Sequence, residues 1–362
     1  MRILYLFTHD IVLHAGVSNK VISQSNAWKY LGHEVKICNM SLKKNQIRLS
    51  PFLKEDVYFR KSVFYGAKFL FRDIDEFNPD VIYFRFELYK PYIGKILKRF
   101  ISVIELNTDN YSEMKLKSRK RLKGKIRFLY YLLTKNKIYK NIDGIVTVSD
   151  EIANLPQIAK WNKPSISIPN SIDIRKYPIL KKKCKNKTPN ILFLGTPDHL
   201  WHGLDKILDL AKTTKDKLFF HIVGIDNLNS NNLPNVKFYG HLTKNDYQEI
   251  VALCHIGIGS LAFHRLGVIA SPLKVREYLA FGLPIIIGYS ETAFAGFELP
   301  EWVLELPNEQ NNVTNNVEQI LQFCEEMKNR IVSHEESKKY IDSMLIEKKK
   351  LEFMKNLLNS GS

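Results

Sequence analysis

Cysteine is scarce in this chain of 362 residues, and the four present, Cys38, Cys184, Cys254 and Cys324, lie about 70 residues or more apart. No pair has metal-knuckle spacing, which excludes a disulfide-stapled scaffold and a cysteine zinc site; scattered, reduced, buried thiols are expected. Long apolar runs are missing too. After Met1-Arg2 the run Ile3 to Phe7 stops at Thr8-His9-Asp10, too short for a signal-peptide core or a membrane span, which predicts a cytoplasmic chain. The G-x-G-x-x-G dinucleotide fingerprint does not follow that first run. Negative charge is also in short supply: 37 Asp and Glu face 54 Lys and Arg, a formal charge of +17. Such a balance implies an anionic partner, whether phosphorylated substrate, acidic lipid or nucleic acid.

What is present fits two cores of ordinary size, since 45% of the residues are hydrophobic. Short apolar, β-branched runs alternate with amphipathic segments, the pattern of parallel sheets covered by helices on both faces. The predicted strands of the first half are 3–7, 35–38, 81–84, 103–106, 145–148 and 165–168. A helix from about Val17 to Leu31, stopped by Gly32, joins the first two into a right-handed βαβ unit. A lysine-rich joint, Leu180 to Pro189, precedes a second α/β set with strands 191–194, 218–223, 236–239, 256–259, 285–287 and 303–306. Two Rossmann-like domains are therefore expected, 1–178 and 179–334. Helices at 317–327 and 335–358 follow, and the C-terminal segment 335–362 is expected to cover a surface, with packing back on the N-terminal domain as one arrangement. In open sheets of this kind ligands bind beyond the carboxyl ends of the strands, here in the cleft between domains.

The candidate site residues lie at those ends. Ser271-Pro272-Leu273-Lys274-Val275-Arg276-Glu277 opens a helix that Gly282 stops and that the strand 285–287 follows. Free N–H groups at Leu273 and Lys274, the helix dipole and the Lys274 ammonium suit a diphosphate, and Glu277, one turn on, suits ribose hydroxyls. A merely capped helix with Glu277 in solvent fits the segment alone equally well. Gly16 and Val17 open the first helix, where a glycine permits close backbone approach. Arg85 and Glu87 follow the third strand, and Glu105 and Asn107 the fourth, as anchors or acceptor contacts. Gly195, His202 and Gly203 lie between the first strand of the second domain and its helix, and Gly224 and Leu242 stand at two further turns on that edge. The pair Asp73-Ile74-Asp75 reads as a solvated helix face, and no metal site is expected.

In this order the motifs resemble those of family-4 retaining glycosyltransferases of the GT-B fold: the glycine loop with Gly16, Lys29-Tyr30-Leu31-Gly32-His33-Glu34-Val35, Ile142-Asp143-Gly144-Ile145-Val146-Thr147-Val148-Ser149, Ile168-Pro169-Asn170-Ser171-Ile172-Asp173, Leu194-Gly195 with His202-Gly203, and the segment from Ser271. The resemblance covers roughly residues 1 to 300. It implies a nucleotide-sugar donor held by the second domain, a saccharide or lipid-linked saccharide acceptor on the first, retention of configuration and no metal or other cofactor. Glu277 matches the second, ribose-binding glutamate of the family's Glu-x7-Glu motif; the first falls on Ile269. Thr196 and His202 stand about where many members carry an arginine and a lysine, so Lys274 and Arg265 become the candidate cations. Asn107 matches an active-site histidine, and an amide donates hydrogen bonds without acting as a base.

Met114 to Ile142 carries eleven Lys and Arg around Phe128-Leu129-Tyr130-Tyr131-Leu132-Leu133, with no acidic residue. It suits an anionic membrane surface and would place the protein on the inner face of the cell membrane. A nucleotide-sugar epimerase or an inactive scaffold of the same fold remains an alternative. A nucleic-acid-binding protein is suggested by charge alone, without a recognition module, and nucleic acid is not the expected partner.

Overall fold

The structure, a computed structural model, describes residues 1–7, 16–39, 57–59, 70–72, 74–120, 122–180, 188–197, 199–226, 233–267 and 271–360. The loop before Gly16, the joint 181–187 with Cys184, Asp73 and residue 269 lie outside the described residues. The chain divides into two compact units, Met1–Pro169 with Ser343–Ser362, and Asn170–Asp342.

The first unit is built on a seven-stranded sheet, β1 (Arg2–Phe7), β2 (Glu34–Asn39), β3 (Val57–Phe59), β4 (Val81–Arg85), β5 (Ile101–Leu106), β6 (Gly144–Thr147) and β7 (Ser165–Ser167). Every pairing is parallel, in the order β3-β2-β1-β4-β5-β6-β7. Helices α1 (Gly16–Tyr30), α2 (Pro91–Ile96), α3 (Asn110–Lys120), α4 (Leu122–Thr134), α5 (Asn136–Tyr139), α6 (Asp150–Ala153) and α7 (Pro156–Ala159) connect the strands. Ile3 to Phe7 is buried throughout, which is why the central strand reads as an unbroken apolar run rather than an alternating one. Trp28 of α1 stacks on Tyr5 at 5.6 Å and meets Tyr83 edge-on at 5.1 Å. The three-residue edge strand β3 is absent from the sequence expectation because Val57-Tyr58-Phe59 is too short to show a period.

The second unit carries β8 (Asn190–Leu194), β9 (Phe219–Val223), β10 (Val236–Phe238), β11 (Ile256–Ile258), β12 (Ile285–Ile287) and β13 (Val303–Glu305), parallel in the order β10-β9-β8-β11-β12-β13. Its helices are α8 (Leu204–Thr214), α9 (Lys244–Val251), α10 (Leu273–Ala280), α11 (Val317–Met327) and α12 (His334–Ile341). Ahead of the lysine-rich joint, Ile172, Ile174 and Tyr177 already pack in this unit's core.

The stretch expected as a helix over 335–358 is two helices, α12 and α13 (Ser343–Ser360). The break is Asp342, whose extended backbone (φ −74°, ψ 126°) pairs with Ile172, whose N–H donates to the Ile341 carbonyl at 2.9 Å. Beyond it α13 packs on the first unit, where Ile346, Leu351, Met354 and Leu357 join the core with Trp28. A Cβ on Gly144 would lie 2.5 Å from Leu357, so glycine at the start of β6 lets that helix approach.

Candidate donor site at the carboxyl edge of the second sheet

In both sheets the strand order reverses between two neighbours, β1 and β4 in one and β8 and β11 in the other. Ligands of open α/β sheets bind at the carboxyl ends beside that reversal. In the second unit this edge is held by close backbone packing. Gly195 donates its N–H to the Val223 carbonyl at 2.8 Å, and Gly224 donates to Gly240 at 2.6 Å. Gly224 has φ +88°, and a Cβ there would lie 2.3 Å from the Gly195 carbonyl oxygen. Gly203, at φ +74°, ends the turn Leu200–His202 and begins α8.

Helix α10 stands over this edge, pinned by Tyr278: its hydroxyl accepts the Leu194 N–H at 2.7 Å and donates to the Ile258 carbonyl at 3.2 Å. The helix opens at Pro272, whose side chain makes no capping hydrogen bond. Its entrance is fixed instead by a fully buried ion pair. Arg276 meets Glu291 through two bonds of 2.6 and 2.7 Å and donates to the Asn170 carbonyl at 2.9 Å. Ser271 accepts the Asn170 N–H on its hydroxyl at 3.0 Å. Arg276 is one of three charged residues on this helix, with Lys274 and Glu277, and its partner lies fifteen residues on, so nothing local marks the clamp.

Within the frame, Lys274 is the exception. Its Nζ is enclosed, makes no hydrogen bond among the described residues and sits 4.4 Å above the Phe193 ring. Burial pushes its pKa down to about 7. His202 is buried nearby and accepts the Thr196 N–H on Nδ1 at 3.3 Å. Burial first, then the Lys274 and His199 charges, hold its pKa down to about 2, so it is a neutral imidazole with its proton on Nε2. Arg265, the other candidate cation, is held by Asp205 in a bidentate pair of 2.8 and 2.6 Å. Leu242 and Leu273 pack against the core. Glu277 accepts hydrogen bonds from the Tyr177 hydroxyl at 3.1 Å and the Tyr247 hydroxyl at 3.2 Å.

The first unit brings Arg85, Glu105 and Asn107 together, with one change from expectation. Glu105 is fully buried rather than turned toward a ligand. It pairs with Lys20 at 2.9 Å, Lys350 at 3.5 Å and Arg85 at 3.6 Å, and accepts from Gln24 at 3.2 Å. Burial opposes its charge, and the Lys20, Lys350 and Arg85 cations overcome it, leaving the carboxyl well below its ordinary range. Lys20 also donates to Asn107 Oδ1. An ammonium only donates, so the Asn107 oxygen is committed inward and its NH₂ is the end left for other partners. Lys20 and Gln24, one turn apart on the buried face of α1 beside Val21, were the polar signal available in the sequence. Gly16 begins α1, and Val17 is half-buried. Among the described residues no group of three or more His, Cys, Asp or Glu is placed to hold a metal ion.

No family model matches the sequence, and no curated protein does. Solved structures do match. Sucrose-phosphate synthase from Thermosynechococcus elongatus is similar at TM-score 0.69 and 14% identity, over 99% of this chain and 100% of that one. The lipopolysaccharide outer core galactosyltransferase WaaB gives 0.66 and 12%, over 100% of both chains. An alpha-glucosyltransferase in complex with UDP-glucose and DNA containing an abasic site gives 0.62 and 13%, over 98% and 99%. Two parallel sheets with flanking helices, matched over full length, define the GT-B glycosyltransferase fold.

Proposed function

We propose that the chain is a retaining glycosyltransferase of the family-4 type, which moves a sugar from a nucleotide-diphosphate sugar to a saccharide or lipid-linked saccharide acceptor without a metal. The enclosed Lys274 amine beside the start of α10 carries this reading. An unpaired buried ammonium is costly, and a diphosphate oxygen would complete it together with the Leu273 and Lys274 N–H groups. In the reaction the bond from the anomeric carbon to the diphosphate oxygen breaks, and these donors hold the charge that leaves. The acceptor hydroxyl attacks from the same face and its proton passes to the departing oxygen. Asn107 donates an amide hydrogen bond to the sugar, Glu277 accepts from ribose, and Arg265 steadies its loop through Asp205.

A thermal-shift screen of the full chain against nucleoside diphosphates and their sugars tests the site, because a ligand of the folded state raises Tm. Transfer or hydrolysis of the stabilising sugar separates a transferase from an inactive scaffold, and EDTA dialysis that leaves turnover unchanged supports metal independence. Near wild-type turnover in both Lys274→Ala and Glu277→Ala would refute the assignment. Alpha-glucosyltransferase structures among the solved neighbours hold DNA, so a mixed oligonucleotide at physiological salt is the acceptor control.

The reading extends to a peripheral site on the inner membrane face through residues 114–142. Leu122, Ile126, Leu129 and Leu133 of α4 are 73%, 64%, 58% and 70% exposed, a stripe at helical spacing with Lys123, Lys125 and Arg127 between its members. No helix among the described residues is long and apolar enough to cross a membrane. Equal failure to sediment with anionic and neutral vesicles would remove the membrane role.

A further inference from the structure

We infer that Tyr177 and Tyr247 are positioning residues for nucleoside recognition: together they fix the plane of the Glu277 carboxylate so that it meets the two ribose hydroxyls of the donor. The inference rests on the donor-site reading above. Each phenol donates to a different oxygen, Tyr177 to Oε1 at 3.1 Å and Tyr247 to Oε2 at 3.2 Å. They come from separate segments, one just past the turn Ile174–Lys176 and one on α9, so the carboxylate is gripped from two directions. Both rings are at least nine-tenths buried and meet Phe281 edge-on, at 5.1 and 6.4 Å. Phe281 follows α10 directly, which ties the clamp to the helix that carries Glu277.

A carboxylate accepts along about four lone-pair directions and can take several donors at once. Neither phenol is a casual contact, because burial and then the Glu277 charge raise both pKa values and keep the hydroxyls protonated. A glutamate on a helix has three side-chain torsions to fix. The clamp fixes the last of them before the ligand arrives, which lowers the entropy cost of binding a vicinal diol.

The test compares affinities of the full chain for a nucleoside diphosphate and for its 2′,3′-dideoxy counterpart, using whichever of UDP, ADP and GDP shifts Tm most. In the wild type the ribose form binds more tightly, and Glu277→Gln reduces that ratio. Tyr247→Phe and Tyr177→Phe each keep the ring and remove one charge-assisted bond, so each is expected to lower the ratio by about tenfold with dideoxy affinity unchanged. If both variants weaken the two nucleotides equally, the tyrosines are structural and the inference fails. If Glu277→Gln reduces the ratio and neither tyrosine variant does, the clamp fails while the donor site stands. A wild-type ratio near one overturns both. Because the phenols lie on separate segments, either variant serves if the other does not fold.

Discussion

Both units bury charged side chains at the carboxyl ends of a parallel sheet, and they dispose of them differently. In the first, Glu105 is surrounded by Lys20, Arg85 and Lys350, and Lys350 is shared with Glu347, which also accepts the Trp28 indole N–H at 3.0 Å. In the second, Arg276 and Glu291 close on one another, while the Lys274 Nζ is enclosed without a hydrogen bond among the described residues. A buried ion pair is matched by its partner, whereas a buried amine without one is a cost that folding leaves standing. The difference separates residues matched within the fold from one that, under the proposed function, a diphosphate would complete, although all are lysines, arginines or glutamates.

The comparison breaks most sharply at Arg276. Arg276→Ala strands the Glu291 carboxylate and is expected to cost about 3–5 kcal/mol, read as a lower urea midpoint. Lys274→Met should do the opposite to the folded protein, leaving the midpoint unchanged or raised, while turnover falls by about 10² to 10³. A large loss of stability in that variant would place Lys274 with the structural pairs. The smallest effect is in pH. The folded pKa of Lys274 is about 7, below the ordinary lysine value, so the unfolded chain binds more protons between the two. Its contribution to stability therefore rises with pH through that window. Donor affinity runs the other way, since the bound diphosphate requires the ammonium, and should fall by about tenfold per pH unit above 7. Calorimetry in buffers of different ionisation heat should show a proton taken up on binding, and Lys274→Met should abolish both trends.

The strands were legible because both faces of a parallel sheet are buried, so Ile3 to Phe7 and Ile285 to Ile287 stand out as unbroken apolar runs between glycines and polar turns. Helix α10 was legible from Pro272 and Gly282, which punctuate it from either side. Contacts made across long stretches of chain were not. Tyr177 lies 100 residues from Glu277, and Lys20 lies 87 from Asn107, so nothing local marks either pair. The burial of Glu105 was hidden for the same reason: the cations that neutralise it come from α1, β4 and α13. The break at Asp342 depends on a bridge to Ile172, and the surrounding sequence is an ordinary helix former on both sides.

That bridge also sets an order of assembly. The second unit begins at Asn170 and ends at Asp342, with its entering and leaving segments joined side by side, so a ribosome completes it while α13 is still unmade. The first unit, though begun earlier, lacks until then the Lys350 cation for Glu105, the Glu347 acceptor for Trp28, and the Leu357 contact at Gly144. Translation therefore finishes the second unit before α13 exists to close the core of the first.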